Sequence, residues 1–351
     1  MKEVRLQNIS KIFDKHEALR NLSFTVKKGD MISLLGPSGS GKTTTLKIIA
    51  GLLEADQGSV FIDGKSIDHL PTQKRGAVMV FQDHRLFPHM TVGANIEFGL
   101  RMKGVPKDIR RKKVQEMLGF VGLEAQGGKL PGRISGGEKQ RVAIARGLIV
   151  DPQVLLLDEP FSNLDQRLKE EMRRFVVEIQ QKLKITTILV THDKEDALLT
   201  SSKIGVMFNG KLQQYGTPEE LYETPNSLKV ARFFGEINEI PIESIDQESV
   251  YTPLGTYKKA GKLQAIDKTD KLLLRPEAVK LSNSKGKGKS PGNTGLSAKI
   301  TNRTFAGDKT YYELEGEALQ IRASVIGKGA WQTGDGVMVH ALKEALILCS
   351  Y

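Results

Sequence analysis

The chain has 351 residues, 39% hydrophobic and 26% charged, which is the composition of folded globular domains and excludes a disordered or fibrous protein. A single cysteine, Cys349, excludes an internal disulfide and a cysteine-based metal site. The formal net charge of +11 suits an anionic partner (nucleic acid, a membrane surface or a nucleotide) without choosing among them. At roughly 150 residues per domain, two or three domains are expected. No run approaches the ~18 apolar residues of a membrane span, and the start MKEVRLQNIS lacks a secretory apolar core. The chain is therefore expected to stay in the cytoplasm.

In chain order, Val4–Leu6, Leu22–Val26 and Ser59–Ile62 read as short strands with polar alternation. Met31–Leu35 is a continuous apolar strand ending in a Gly-rich turn. Similar runs recur at Ala77–Phe81, Val154–Leu157, Thr187–Val190 and Ile204–Phe208, separated by helical patterns. Strands buried on both faces and linked by helices predict an α/β fold with a mainly parallel sheet. Residues 83–150 are mostly helical in pattern, with a basic stretch at Lys107–Lys113, and read as an insertion between core strands. Thr217-Pro218-Glu219-Glu220 marks a helix start, and a second short helix, Ser227–Phe234, closes a first domain of residues 1–235. From 241 to 351 short Gly-bounded strands follow, among them Lys271–Leu274, Ala298–Thr301, Thr310–Leu314 and Val337–Leu342. They predict a small all-β domain. The Lys285–Lys289 stretch, alternating lysine and glycine, reads as a solvated loop.

The strongest motif is Gly36-Pro37-Ser38-Gly39-Ser40-Gly41-Lys42-Thr43, placed between an apolar strand and a helix, with Thr44 next. Its glycines let backbone amides and a helix start face phosphate oxygens. Lys42 supplies a positive charge to the β- and γ-phosphates, and the Thr43 hydroxyl is placed to ligate Mg²⁺. Asp158 ends a buried apolar strand, where a carboxylate is costly unless it faces a cation, and so becomes the second Mg²⁺ candidate. Glu159 beside it is then the candidate general base for an attacking water. Ser135-Gly136-Gly137-Glu138 sets a second candidate anion site at a helix start.

With Ser135-Gly136-Gly137 the chain resembles the ATP-binding subunits of ABC transporters, over residues 1 to about 235 and with the motifs in order. The resemblance implies a P-loop NTPase core with a helical subdomain, ATP and Mg²⁺ as cofactors, and a homodimer. In that dimer Ser135, Gly136 and Gly137 cap the γ-phosphate held by the other copy. Glu138 stands where the family more often has Gln, and its carboxylate is expected to point away from phosphate. Carried over residue by residue, Phe13 stacks on adenine, although alone it reads as core. Gln82 senses Mg²⁺ and water, and Asp165 lies in the loop where two copies touch, with Asn163 replacing the usual Ala. His192 contacts the γ-phosphate, although a lone His at a strand end reads as structural. The segment from Arg85 to Ile96 is similar to the groove that receives a helix of the membrane subunit, and it also fits plain core packing.

The segments Gly216–Tyr222, Ala231–Asn238 and Leu274–Glu277 resemble importer ATPases that carry an extra OB-like regulatory domain, a group that serves polyamines, ferric iron, sulfate, molybdate and sugars. The resemblance implies an ATPase powering a binding-protein-dependent importer at the cytoplasmic face of the inner membrane. Its partners are integral permease subunits and, indirectly, a solute-binding protein, with no nucleic acid. Phe233–Asn238 is similar to the polyamine branch and Leu254-Gly255 to the ferric iron branch, so the solute stays open between them. A soluble or exporter-type ABC ATPase and a regulatory binding protein with a vestigial ATPase are the rival readings.

Overall fold

The computed structural model describes residues 2–83, 86–162, 164–259, 263, 266, 270–283, 295–317 and 319–349; Arg85, Asn163 and Lys285–Lys289 lie outside them. Contacts divide the chain into two compact units, Met1–Pro218 and Glu219–Tyr351.

In the first unit, β1 (Val4–Phe13) and β2 (His16–Val26) form a hairpin through Asp14 and Lys15, both at left-handed φ. β1 runs well beyond the expected Val4–Leu6. Asn8, at φ 53°, donates its N–H to Ser23 Oγ at 2.8 Å, and the register slips there, so a bulge carries the strand onward. β3 (Met31–Leu35) leads into α1 (Lys42–Ala50), after which β4 (Gln57–Ile62) and β5 (Lys65–Ser66) complete an antiparallel sheet of order β2-β1-β4-β5. β6 (Ala77–Val80) is followed by α2 (Val92–Met102), α3 (Lys107–Phe120) and α4 (Gly136–Leu148). The chain then runs through β7 (Val154–Asp158), α5 (Gln166–Leu183), β8 (Thr186–Thr191), α6 (Lys194–Thr200), β9 (Lys203–Phe208) and β10 (Lys211–Gly216).

The main sheet has the order β10-β9-β3-β8-β7-β6, parallel throughout except for β10 against β9. Every side chain of β3, β7 and β8 is buried, so no polar alternation survives in them. Each buried Leu, Ile or Val there contributes about 1.5–3 kcal/mol. Buried Thr186 is tolerated because its hydroxyl donates to Lys2 O at 2.7 Å and accepts from Gly29 N–H at 3.0 Å. Leu46 and Ile49 of α1 fill one core with Leu6, Leu34, Leu156 and Val190, while Val142, Met172 and Val176 build another with Ile96 and Leu157. Asn95, fully buried, holds the turn before α2 by donating to Phe87 O, Met90 O and Thr91 O and accepting from Phe87 N–H. The segments after β3, β6, β7 and β8 leave the carboxyl ends of adjacent parallel strands, where α/β sheets place their ligands.

The second unit opens with α7 (Pro218–Glu223) and α8 (Leu228–Phe234), the latter capped by Ser227. Beyond them lie β11 (Asn238–Ile240), β12 (Ser244–Ile245), β13 (Ser249–Thr252), β14 (Gly255–Lys258) and β15 (Lys271–Leu274). β16 (Val279–Asn283), β17 (Leu296–Phe305), β18 (Lys309–Gly316), β19 (Gln320–Ile326), β20 (Gly336–Ala341) and β21 (Leu346–Cys349) follow. The described residues form antiparallel sheets of orders β11-β15-β21, β12-β13-β14 and β16-β20-β17-β18-β19 around a core that includes Tyr312, Leu314 and Val339. The division after Pro218 precedes the boundary at 235 that the sequence suggests, and the packing gives the reason. Buried Arg275 donates to Tyr222 O and Ala231 O, and Ala231 packs with Leu273 and Ile347, so both helices belong with the strands.

Candidate active site

After β3 the chain turns through Gly36–Gly41 into α1. A Cβ on Gly36 would stand 2.2 Å from Met207 O. Gly41 sits at φ +97° with its Cβ position 2.6 Å from Ala18 O, so neither position accepts a side chain. Gly41 caps α1 without a side-chain hydrogen bond, and the first turn has no acidic residue. The amides of Lys42, Thr43 and Thr44 therefore lack intrahelical partners and carry the positive end of the helix dipole. Pro37, Ser38 and Gly39 form the exposed crest, and Ser40 is buried beneath it. Lys42 Nζ donates to Gly36 O at 2.7 Å and Pro37 O at 2.9 Å. Burial pushes the ammonium below its ordinary pKa, against the pull of Glu159 and Asp158.

Asp158 closes β7 and is 7% exposed. Burial pushes its carboxyl above the ordinary range and nearby Glu159 adds to this, while the hydrogen bond from Thr43 opposes it. Thr43 Oγ1 donates to Asp158 Oδ1 at 2.8 Å, joining the α1 start to the end of β7 by a pair of hard oxygen donors of the kind Mg²⁺ prefers. Glu159 has φ +51°, although Pro160 behind it favours an extended conformation. Such a left-handed residue costs about 1–3 kcal/mol and persists only where neighbours hold it. Here Glu159 N–H donates to Val190 O at 2.9 Å, and Ser162 Oγ donates to Glu159 O at 2.8 Å. The side chain meets His192, whose Nδ1 lies 2.6 Å from Glu159 Oε2. With a carboxylate as acceptor, Nδ1 carries the proton.

Thr43–Asp158 and Glu159–His192 are thus contacting pairs, with Lys42 close to both carboxylates. The other sequence candidates stand outside these contacts. Gln82 is exposed in the turn after β6. Phe13 is 43% exposed rather than core, with Lys11 Nζ 5.6 Å from its ring centre. Asp165 turns into its own helix, where its Oδ1 accepts from Leu168 N–H at 3.0 Å and caps α5. Ser135 caps α4 in a reciprocal box: its Oγ accepts from Glu138 N–H, and Glu138 Oε2 accepts from Ser135 N–H at 2.7 Å. The Glu138 carboxyl, held by that hydrogen bond, lies below its ordinary range. The α4 start adjoins the α5 start, since a Cβ on Gly137 would reach within 2.7 Å of Leu168 Cδ1 and one on Gly136 within 3.9 Å of Leu164 Cδ2. Sequence reasoning passed over Asp193, which caps α6 by accepting from Glu195 N–H at 2.7 Å; its signal is an Asp directly ahead of a helix.

Residues 19–162 match the ABC transporter family, and residues 272–348 match the TOBE domain. The Fe(3+) ions import ATP-binding protein FbpC of Brucella suis biovar 1 is 42% identical over 317 residues, covering 90% of this chain and 88% of that protein. The spermidine/putrescine import ATP-binding protein PotA of Clostridioides difficile is 42% identical over 312 residues, covering 89% and 87%. Among solved structures, the dimeric bacterial ABC transporter cassette MJ0796 has a TM-score of 0.56 at 31% identity, covering 61% of this chain and 98% of that one. The cbiO1 subunit of Clostridium perfringens, part of the ABC transporter complex cbiONQ, has a TM-score of 0.58 at 32% identity, covering 62% and 89%. No helix among the described residues is long and apolar enough to cross a membrane. The conjunction of phosphate loop, acidic strand end and full-length relatives settles the family: the chain belongs to the ABC transporter family, as an ATP-binding protein with a TOBE domain after the nucleotide-binding core.

Proposed function

We propose that the chain hydrolyses ATP to power a binding-protein-dependent importer, as a pair of copies bound to permease subunits at the cytoplasmic face of the membrane. The observation that carries this reading is the Glu159–His192 contact beside the Thr43–Asp158 pair. Lys42 exchanges its bonds to Gly36 and Pro37 for phosphate oxygens, and the α1 amides hold the same anion. Phe13, exposed, takes the adenine. Asp158, Thr43 and Gln82 would hold Mg²⁺, which would neutralise phosphate charge when bound. Glu159 accepts the proton of the attacking water, and His192 fixes the carboxylate through Nδ1. Ser135, Gly136 and Gly137 complete the nucleotide site of the other copy, next to the Asp165 loop. The unit that ends at Pro218 is the working ATPase, and the unit after it, with α7 and α8 packed on its strands, is a regulatory domain.

The cargo is ferric iron or a polyamine, both polyvalent cations, because relatives named for each align over nearly the whole chain at the same identity. Uptake of labelled ferric iron and labelled spermidine, in cells with and without the chain, separates the two. Phosphate release by the purified protein tests the ATPase itself. Intact ATP binding with no release, alone or with copurified permease, would overturn the catalytic reading in favour of a vestigial enzyme.

A further inference from the structure

An ionic cluster of α5 and α6 lies behind His192. Lys169, one turn into α5, gives its backbone N–H to Asp165 O at 2.8 Å, and its side chain is only 15% exposed. Its ammonium pairs with the Asp193 carboxylate and lies 3.2 Å from Asp196 Oδ1. Arg173, one turn further along, donates to Glu195 Oε1 at 3.0 Å, and its Nε lies 3.3 Å from Asp196 Oδ1. Thr191 Oγ1 bonds both members of the acidic pair, donating to Asp196 Oδ2 at 3.3 Å and accepting from Asp193 N–H at 3.0 Å. Thr191 and Asp193 are the two chain neighbours of His192, so the cluster grips the backbone on both sides of the histidine.

Burial alone would lower the Lys169 ammonium, but the two carboxylates outweigh it and hold its pKa above the ordinary value. Asp193 lies below its ordinary range although burial pushes it up, because Lys169 and backbone amides outweigh burial. The more buried Asp196 lies above its range, raised by burial and by Asp193. The charges hold one another in place, and removing one partner leaves the others uncompensated. Rigid supports of this kind matter because a small misplacement of a reacting group is expensive in rate.

We infer that Lys169 is a positioning residue for hydrolysis: it ties the α5 start, which follows the loop ending at Asp165, to Asp193 and thereby sets His192 against Glu159. The inference rests on the reading of Glu159 and His192 as the hydrolytic pair. Movement of the α5 start then reaches the histidine through the Lys169 side chain, with Arg173 holding α6 one turn further along.

The test uses the full chain with Mg²⁺-ATP. Lys169→Met should lower kcat about tenfold while the nucleotide Kd stays within about twofold, and Lys169→Arg should restore most of the rate. Asp193→Asn keeps the α6 cap but loses the charge, and the double variant should be no slower than the slower single one. An unchanged kcat in Lys169→Met, additive losses in the double variant, or a Kd rising in step with the lost rate would overturn the inference. If Lys169→Met does not fold, Asp193→Asn decides by the same criterion of kcat against Kd. A wild type that hydrolyses ATP beside a full-rate Lys169→Met overturns this inference alone, whereas an inactive wild type overturns the reading beneath it.

Discussion

α1 and α4 both begin beside glycines, but they are built in opposite ways. α1 starts at Gly41 with no side-chain cap and no acidic residue, and Lys42, Thr43 and Asp158 gather around it. α4 starts at a Ser135–Glu138 box that satisfies two amides from within and leaves a carboxylate in the first turn. The first start is incomplete without an anion, while the second is stable alone and offers only the amides of Gly136 and Gly137. An unsatisfied start suits tight retention of a polyphosphate. A satisfied one suits a contact that forms and breaks in each cycle. The two differ in the same way that a binding site differs from a docking surface.

The largest expected effect breaks the α1 side. Lys42→Ala removes an ammonium that interacts with both Asp158 and Glu159, and hydrolysis should fall to background with weakened nucleotide binding; near-normal turnover would sink the phosphate-loop assignment. Glu159→Gln comes next. It keeps a hydrogen-bond acceptor for His192 but loses basicity, so phosphate release should fall about 10²–10⁴-fold with binding retained. ATP should then accumulate on the protein and hold two copies together, since a ligand stabilises the state it binds best. Size-exclusion chromatography of this variant with ATP reads that dimer. Adding Gly136→Asp should return it to monomer. Gly136 is the better position for this test, because a side chain on Gly137 would first collide with Leu168.

Much of this site is readable as sequence because its signals are local. The phosphate loop needs glycines where backbone approaches backbone, and Asp158 stands out as an acid ending an apolar run. The all-buried strands are legible for the same reason. What stays hidden depends on distant pairing. Lys169 looks like one more solvated charge on an 18-residue helix, and only the fold sets it against Asp193. Glu159 precedes a proline, so local rules give it an extended conformation, whereas Val190 and Ser162 impose the left-handed one. The division after Pro218 escapes a composition argument because α7 and α8 have ordinary helix signals, and the strands they pack on come later in the chain.

A third experiment sharpens the incomplete character of the α1 side. Burial raises the Asp158 carboxyl, so its ionisation opposes folding. The stabilising neutral form is present at low pH and is lost as pH rises through the folded pKa. Asp158→Asn keeps the acceptor for Thr43 and removes the buried charge. At neutral pH it should raise the melting temperature of the nucleotide-free protein by about 1–3 °C while losing hydrolysis. The gain should shrink as pH falls and the native carboxyl protonates. A variant that melts lower than the parent at neutral pH would show that the carboxylate is not strained by its surroundings.

The smallest effect belongs to α4 and tests why a carboxylate stands at its start. The Glu138 carboxyl lies below its ordinary range because Ser135 N–H donates to it, and an anion there also favours the helix dipole. Its depressed pKa contributes stability above the unfolded value, lost as pH falls through the folded one. Glu138→Gln preserves the acceptor for Ser135 N–H, so the box survives and only the charge goes. The variant should melt slightly lower, since the dipole loses its counter-charge. In a Glu159→Gln background it should also dimerise at about two- to fivefold lower ATP, because the phosphate presented to Gly136 and Gly137 no longer meets a like charge. Both changes should fade in high salt, since Glu138 lies at the surface. Opposite signs in stability and dimerisation are the diagnostic outcome. If both move together, the carboxylate acts only on the fold of α4, and the amides of its first turn are not where phosphate arrives.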